Sequence, residues 1–152
     1  MLKESIQDIS SFGGTPVYFA TVGVFLITNK LPQFWLLTFT FVIAYLVTMA
    51  IRFTWWEERP DHEKYKNIWE KFDSGSFPSL HAMRATMLAL VLIFFFNTVL
   101  ATVVLVAGIA AVAYARIWLK RHHPRDVVVG IVLGIVIYYI TANFIMPVFS
   151  AL

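Results

Sequence analysis

Between Arg116 and Asp126 the chain reads Arg-Ile-Trp-Leu-Lys-Arg-His-His-Pro-Arg-Asp, six basic side chains (counting both histidines) and one carboxylate between two long apolar runs. Charge at such a boundary is costly unless it pairs or meets an anion. Pro124 suits the first position of a helix, which puts His122 just before that helix and Asp126 in its first turn, within reach of His122. A carboxylate accepting one imidazole N–H fixes the tautomer and leaves the other nitrogen free as nucleophile or base. The plainer alternative is that Asp126 serves only the helix dipole. A metal held by His122, His123 and Asp126 would find fewer good ligands than arginines around it.

Two further stretches carry matching chemistry. Arg52 and Arg59 stand seven residues apart, about two helical turns and so on one side of a helix that continued that far. Guanidinium forks match phosphate oxygens bidentately; the competing reading is a pair of interface anchors beside Trp55 and Trp56. In Phe77-Pro78-Ser79-Leu80-His81, Pro and Ser precede an apolar run and mark a helix start, with Ser79 near the cap and His81 in the first turn. Backbone N–H groups at such a start favour anions. Arg84, three residues beyond His81, should face inward, either pairing with an acid (Glu57, Glu58 or Asp126) or extending an anion site.

The elements that position these residues are apolar helices. The 152 residues are 59% hydrophobic and 14% charged, against about 25% charged in an average soluble chain, and the mean hydropathy is +0.73. The expectation is one all-α domain over 1–152, an integral membrane bundle of about five transmembrane helices plus a short amphipathic helix at the interface. A first apolar run, Thr15 to Thr28, is shorter than the roughly 20 residues needed to cross a bilayer, so its helix should begin earlier, near Ile6. The others run from Gln33 to Ile51, Ser79 to Phe96, Thr98 to Leu119 and Pro124 to about Phe149. In the intervening polar segment Tyr65, Ile68, Trp69 and Phe72 recur at helical spacing opposite Lys64, Lys66, Asn67, Glu70 and Lys71, the pattern of a helix lying in the headgroup layer.

Five crossings put the N-terminus, the second-to-third loop and the fourth-to-fifth loop on one membrane face, which then holds every one of the 12 Lys and Arg except Lys30. The net charge of +3 gives no reason to expect nucleic acid. The absence of cysteine excludes disulfides and thiolate metal sites, and the acidic N-terminus argues against a cleaved signal peptide. Small residues in the fourth span (Ala107, Gly108, Ala110, Ala111) and the pair Gly130 and Gly134 in the fifth allow close helix packing within the chain or, alternatively, a homo-oligomer seam.

Taken in order, the three stretches resemble the type 2 phosphatidic acid phosphatase family, the lipid phosphate phosphatase superfamily that includes vanadium haloperoxidases. Lys-x6-Arg-Pro is similar to Arg52 to Arg59-Pro60, Pro-Ser-Gly-His to Pro78 to His81, and Ser-Arg-x5-His-x3-Asp to Ala115-Arg116 through His122 to Asp126. The resemblance covers about Arg52 to Gly130. It implies that His122 attacks phosphorus, Asp126 orients it, and His81 protonates the leaving oxygen. Arg52, Arg59, Ser79 and Arg116 would hold the phosphoryl oxygens, with no metal and no cofactor. Three departures stand out: Arg52 replaces Lys, Ala115 replaces Ser, and Leu80 replaces Gly beside the phosphate. The family usually has six spans, so the N-terminal part of the bundle is expected to be reduced.

The function expected is hydrolysis of a lipid phosphate or diphosphate, of the isoprenoid diphosphate or phosphatidic acid type, with isoprenoid diphosphate favoured if Arg84 meets an extra phosphate. Alternatives are a head-group phosphotransferase, which the form Phe-Pro-Ser-Leu-His resembles in inositol phosphoceramide synthases, and a non-catalytic lipid- or anion-binding membrane protein. The expected partners are lipid phosphate substrate and membrane lipids. The expected location is the plasma membrane of a prokaryote with the site at the interface, facing outward. The positive-inside rule would put the arginine-rich face in the cytoplasm, but phosphate binding accounts for most of those arginines.

Overall fold

A computed structural model describes residues 2–60, 67 and 74–150. The chain forms helices α1 (Leu2–Ser11), α2 (Thr15–Ile27), α3 (Leu31–Thr54), α4 (Leu80–Phe96), α5 (Val99–Trp118) and α6 (Pro124–Ile140), then a π-helical turn (Thr141–Ile145) and a short α7 (Met146–Ser150). The amphipathic helix expected around Tyr65, Ile68, Trp69 and Phe72 falls outside the described residues.

Among the described residues, four stretches are long and apolar enough to cross a membrane: Lys3–Ile27, Leu31–Thr54, Val99–Trp118 and Pro124–Val148. The fifth apolar helix, α4, has 17 residues and rises about 26 Å, close to the thickness of the hydrocarbon layer. The first stretch does start upstream of Thr15, but it bends at Phe12–Gly14. Its N-terminal part, α1, carries Lys3, Glu4, Gln7 and Asp8 outward while Ile6 and Ser10 are buried, and it packs against α5.

α4 is the centre of the bundle. It touches α3, α5 and α6, and ten of its residues from Leu80 to Val91 are buried. On α3 the buried side chains Leu37, Thr40, Ala44, Thr48 and Arg52 fall three or four residues apart, the period of one helical face. That stripe carries Arg52 to the inner side of the last turn. The buried Tyr18 hydroxyl is satisfied by the Leu37 carbonyl at 3.0 Å and by Thr40 Oγ1 at 2.9 Å, as a polar group at this depth requires.

α6 lies against α4 with almost no space between backbones. A Cβ on Gly130 would stand 2.5 Å from the Ser79 carbonyl oxygen, and one on Gly134 would stand 2.8 Å from that of Met83. This small-residue pair therefore packs within the chain. On α5 the inward residues are Val112, Ala115 and Arg116, while Val99, Leu100, Val103, Val104 and Val106 are exposed, an apolar face suited to lipid. Asn97, in the left-handed conformation with φ 49°, ends α4, and the Thr98 hydroxyl caps α5, which makes a tight turn between the two helices. Near the C-terminus the π turn immediately precedes Pro147, which has no N–H to continue the regular ladder.

Candidate active site

The ends of α3, α4, α5 and α6 that carry the three motifs meet at one end of the bundle, beneath the bend between α1 and α2. Arg52 does not share a helical face with Arg59, because α3 stops at Thr54. Its buried guanidinium turns instead to the segment leading into α4, with Nε 3.4 Å from the Phe77 carbonyl and a terminal nitrogen 3.2 Å from that of Pro78. Arg59, on the extended segment beyond α3, brings its charge close enough to act on His122.

Ser79 caps α4 as the sequence implied: its hydroxyl accepts from the Ala82 N–H at 3.5 Å, and its own N–H donates to the Asp126 carbonyl at 3.0 Å. The motif containing His81 is thereby fastened to the motif containing Asp126. Gly13, at the α1–α2 bend, lets the chain press on the first turn of α4, since a Cβ there would stand 2.6 Å from the His81 carbonyl oxygen.

His122 lies just before α6 and is 3% exposed. Its Nδ1 is 2.7 Å from the Ser76 carbonyl oxygen. A carbonyl can only accept, so Nδ1 carries the proton and Nε2 keeps its lone pair. Nε2 stands 3.4 Å from a terminal nitrogen of Arg116, whose other terminal nitrogen donates to Ser10 Oγ at 3.1 Å. Burial first, and then the charges of Arg116 and Arg59, push the His122 pKa down to about 2. The imidazole is neutral at neutral pH.

Asp126 does not orient His122 by the direct bond expected from its place in the first turn. The separation between its Oδ2 and His122 Nδ1 is 3.9 Å, beyond hydrogen-bonding distance. That oxygen accepts instead from the Ser76 hydroxyl at 2.5 Å and from the His123 N–H at 2.9 Å. Asp126 is thus linked to His122 through Ser76 while its carboxylate also closes the N-terminus of α6.

Ser76 is the residue that sequence reasoning missed. Fully buried, it also donates its N–H to the Glu57 carbonyl at 2.8 Å and so joins the stretch carrying Arg52 and Arg59 to the one carrying His122 and Asp126. Its effect on His122 runs through a main-chain carbonyl, which no residue type advertises. Arg125, in the first turn of α6, ion-pairs with Glu57, and its Nε lies 3.6 Å from Asp126 Oδ1.

Arg84 faces inward, as expected, and turns to the α1–α2 bend. Its Nε donates to the Gly13 carbonyl at 3.0 Å and one terminal nitrogen to Thr15 Oγ1 at 2.7 Å, while the other stands 3.4 Å from His81 Nδ1. Guanidinium has no acceptor, so His81 Nδ1 is the lone-pair nitrogen and Nε2 bears the proton. The two histidines are held in opposite tautomers. Beside them opens a cleft of ≈ 350 Å³ lined by Gln7, Ser10, Ser11, Gly14, Thr15, Pro16, Val17, His81 and Arg116.

The family model of the PAP2 superfamily matches residues 33–149. The chain belongs to the PAP2 superfamily. Its structure is similar to the crystal structure of Aquifex aeolicus LpxE, with a TM-score of 0.78 and 21% sequence identity over 94% of this chain and 86% of that one. A likeness at that identity is one of fold. No curated protein matches the chain.

Proposed function

We propose that the chain is a membrane phosphatase that hydrolyses a lipid phosphate or diphosphate through a phosphohistidine at His122. The observation that carries this reading is the pair of opposite tautomers: His122 with its Nε2 lone pair facing Arg116, and His81 with its proton on Nε2. One histidine is set to attack and the other to donate. In this reading the bond from His122 Nε2 to phosphorus forms as the phosphorus–oxygen bond to the lipid breaks, and the leaving oxygen takes the Nε2 proton of His81 in the imidazolium form that the bound anionic substrate favours, which leaves His81 as the neutral imidazole. Water then adds to phosphorus, gives a proton to His81 and releases phosphate from His122. Arg52, Arg59, Arg116 and the Ser79 end of α4 stabilise the oxygens, since phosphoryl transfer needs positioning and charge stabilisation above all. No step calls for a metal or cofactor.

The transferase alternative was motivated by Leu80. That side chain belongs to the apolar core with Met83, Met87 and Tyr138, so its bulk lies in the bundle. The site is read as facing outward from the plasma membrane of a prokaryote, at headgroup level. A homo-oligomer would use α5, where Gly108 meets nothing within 4 Å. Phosphate release from a panel of lipid phosphates by the purified protein, with chelator present, tests the function. Release in EDTA is the expected result; release only with added metal, or transfer of phosphate to an acceptor lipid without release, overturns it.

A further inference from the structure

The cleft beside His81 and Arg116 is built from the α1–α2 bend, and that bend precedes residues 33–149, where the superfamily match begins. Its position follows from the proposed reaction. If His81 protonates the leaving oxygen, the group attached to that oxygen emerges on the His81 side, against Gln7, Ser10, Ser11 and Thr15.

The lining has a definite chemical character. Ser10 Oγ accepts from Arg116 and Thr15 Oγ1 from Arg84, so the hydroxyl protons of both remain to be donated elsewhere. Gln7 adds an amide that both donates and accepts, on an exposed face of α1, and the Ser11 hydroxyl, which donates to the Gln7 main-chain carbonyl at 3.1 Å, is left to accept from a ligand. Among the described residues of the lining, the permanently charged side chain is Arg116, which the proposed reaction assigns to the transferred phosphoryl group. Arg84, the cation that a second phosphate would want, is turned to Gly13 and Thr15 behind the wall. An uncharged group rich in oxygen fits such a lining; a further phosphate finds hydroxyls where it needs guanidinium.

We infer that the α1–α2 bend forms a leaving-group subsite for an uncharged, hydroxyl-bearing headgroup, such as the glycerol or sugar of a lipid monophosphate, with Gln7 and Ser11 as specificity-determining residues. The inference rests on the phosphatase reading and selects a substrate class within it. It runs against an isoprenoid diphosphate, whose leaving group would place an anion in the cleft.

The test compares kcat/KM in detergent micelles for three lipids: hexadecyl phosphate, which has no hydroxyl, a 1-acylglycerol 3-phosphate, which has one free hydroxyl, and a prenyl diphosphate. The acylglycerol phosphate should be preferred. In Gln7→Ala and Ser11→Ala its advantage over hexadecyl phosphate should fall by about fivefold to tenfold, the scale of one lost hydrogen bond. Both positions are exposed, and Tm in detergent checks that each variant is folded. An unchanged ratio in both variants overturns the subsite while leaving the phosphatase reading intact. A preference for the prenyl diphosphate that these variants abolish shows that the cleft takes an anion and likewise overturns it. If none of the three lipids is hydrolysed, the phosphatase reading fails first and the subsite falls with it.

Discussion

Nδ1 of His122 is held by the main-chain carbonyl of Ser76 at 2.7 Å, and the hydroxyl of the same serine is held by Asp126 at 2.5 Å. The carboxylate therefore reaches the histidine through an intermediary. Ser76→Ala retains the carbonyl and removes the hydroxyl, leaving Asp126 Oδ2 with one donor fewer. We expect kcat to drop about tenfold to a hundredfold, as for loss of a hydrogen bond to a buried charge, with little change in KM. Asp126→Asn should cost at least as much, because it also removes the charge. Steady-state kinetics of the two variants and their combination check this; the double variant should be little worse than Asp126→Asn, since the two groups act as one unit.

His122 also gives a pH dependence of stability. Its pKa in the folded protein is lowered to about 2, whereas in the unfolded chain it is about 6.5. Below about pH 6.5 the unfolded chain binds a proton that the folded chain does not, so stability falls as the pH falls, by at most ~1.4 kcal/mol per pH unit from this one group. Above pH 6.5 the contribution is fully present. Thermal melts in detergent between pH 4 and 8 should show a falling Tm on the acid side that is shallower in His122→Asn.

The ion pair between Arg125 and Glu57 ties α6 to the segment that carries Arg59. Arg125 is largely exposed, with a side-chain exposure of 62%, so its contribution to stability should be below about 1 kcal/mol. Its expected contribution is to position: Glu57→Arg should lower kcat/KM severalfold with little effect on Tm, and adding Arg125→Glu should restore part of the loss. Kinetics of the four proteins in that cycle provide the check.

Two glycines separate packing from lipid exposure. Gly130→Ala places a methyl against the Ser79 backbone and should push α6 off α4, displacing Asp126 and lowering both Tm and activity. Gly108→Ala meets open space and should be neutral or stabilising, by up to about 1 kcal/mol from helix propensity. Melting temperatures of the two variants give the comparison.

Orientation is open to labelling, because the chain has no cysteine. Asn67→Cys puts a single thiol on an exposed residue of the motif-bearing face. An impermeant maleimide should label it in intact cells; labelling only after the cells are opened would place the site in the cytoplasm.

The helices were readable because apolar length, the cap at Ser79 and the proline at the first position of α6, Pro124, are local signals. The convergence of His81, Arg116, His122 and Asp126 was readable too, since counting crossings sets which loops share a face. Less legible was what each polar group would do once there. Arg84 could be placed inward by its spacing from His81, but its attachment to Gly13 and Thr15 depends on a bend at Phe12–Gly14 within what was expected to be one helix starting near Ile6. Arg52 and Arg59 would have shared one side of a helix had it continued past Ile51 as far as Arg59, but α3 ends at Thr54. Ser76 stayed hidden because its grip on His122 uses the backbone, and Asp126 looked like a direct partner because sequence distance is blind to a third residue between them.

The most direct test of the account is to trap the phosphoenzyme. Wild-type protein turning over a lipid phosphate labelled with 32P, quenched in alkali, should carry label that is stable to base and lost in acid. Mass spectrometry of the labelled peptide should place it on His122, and His122→Ala should carry none. Label that persists in His122→Ala, or that resides on Asp126 or on another residue, would contradict it.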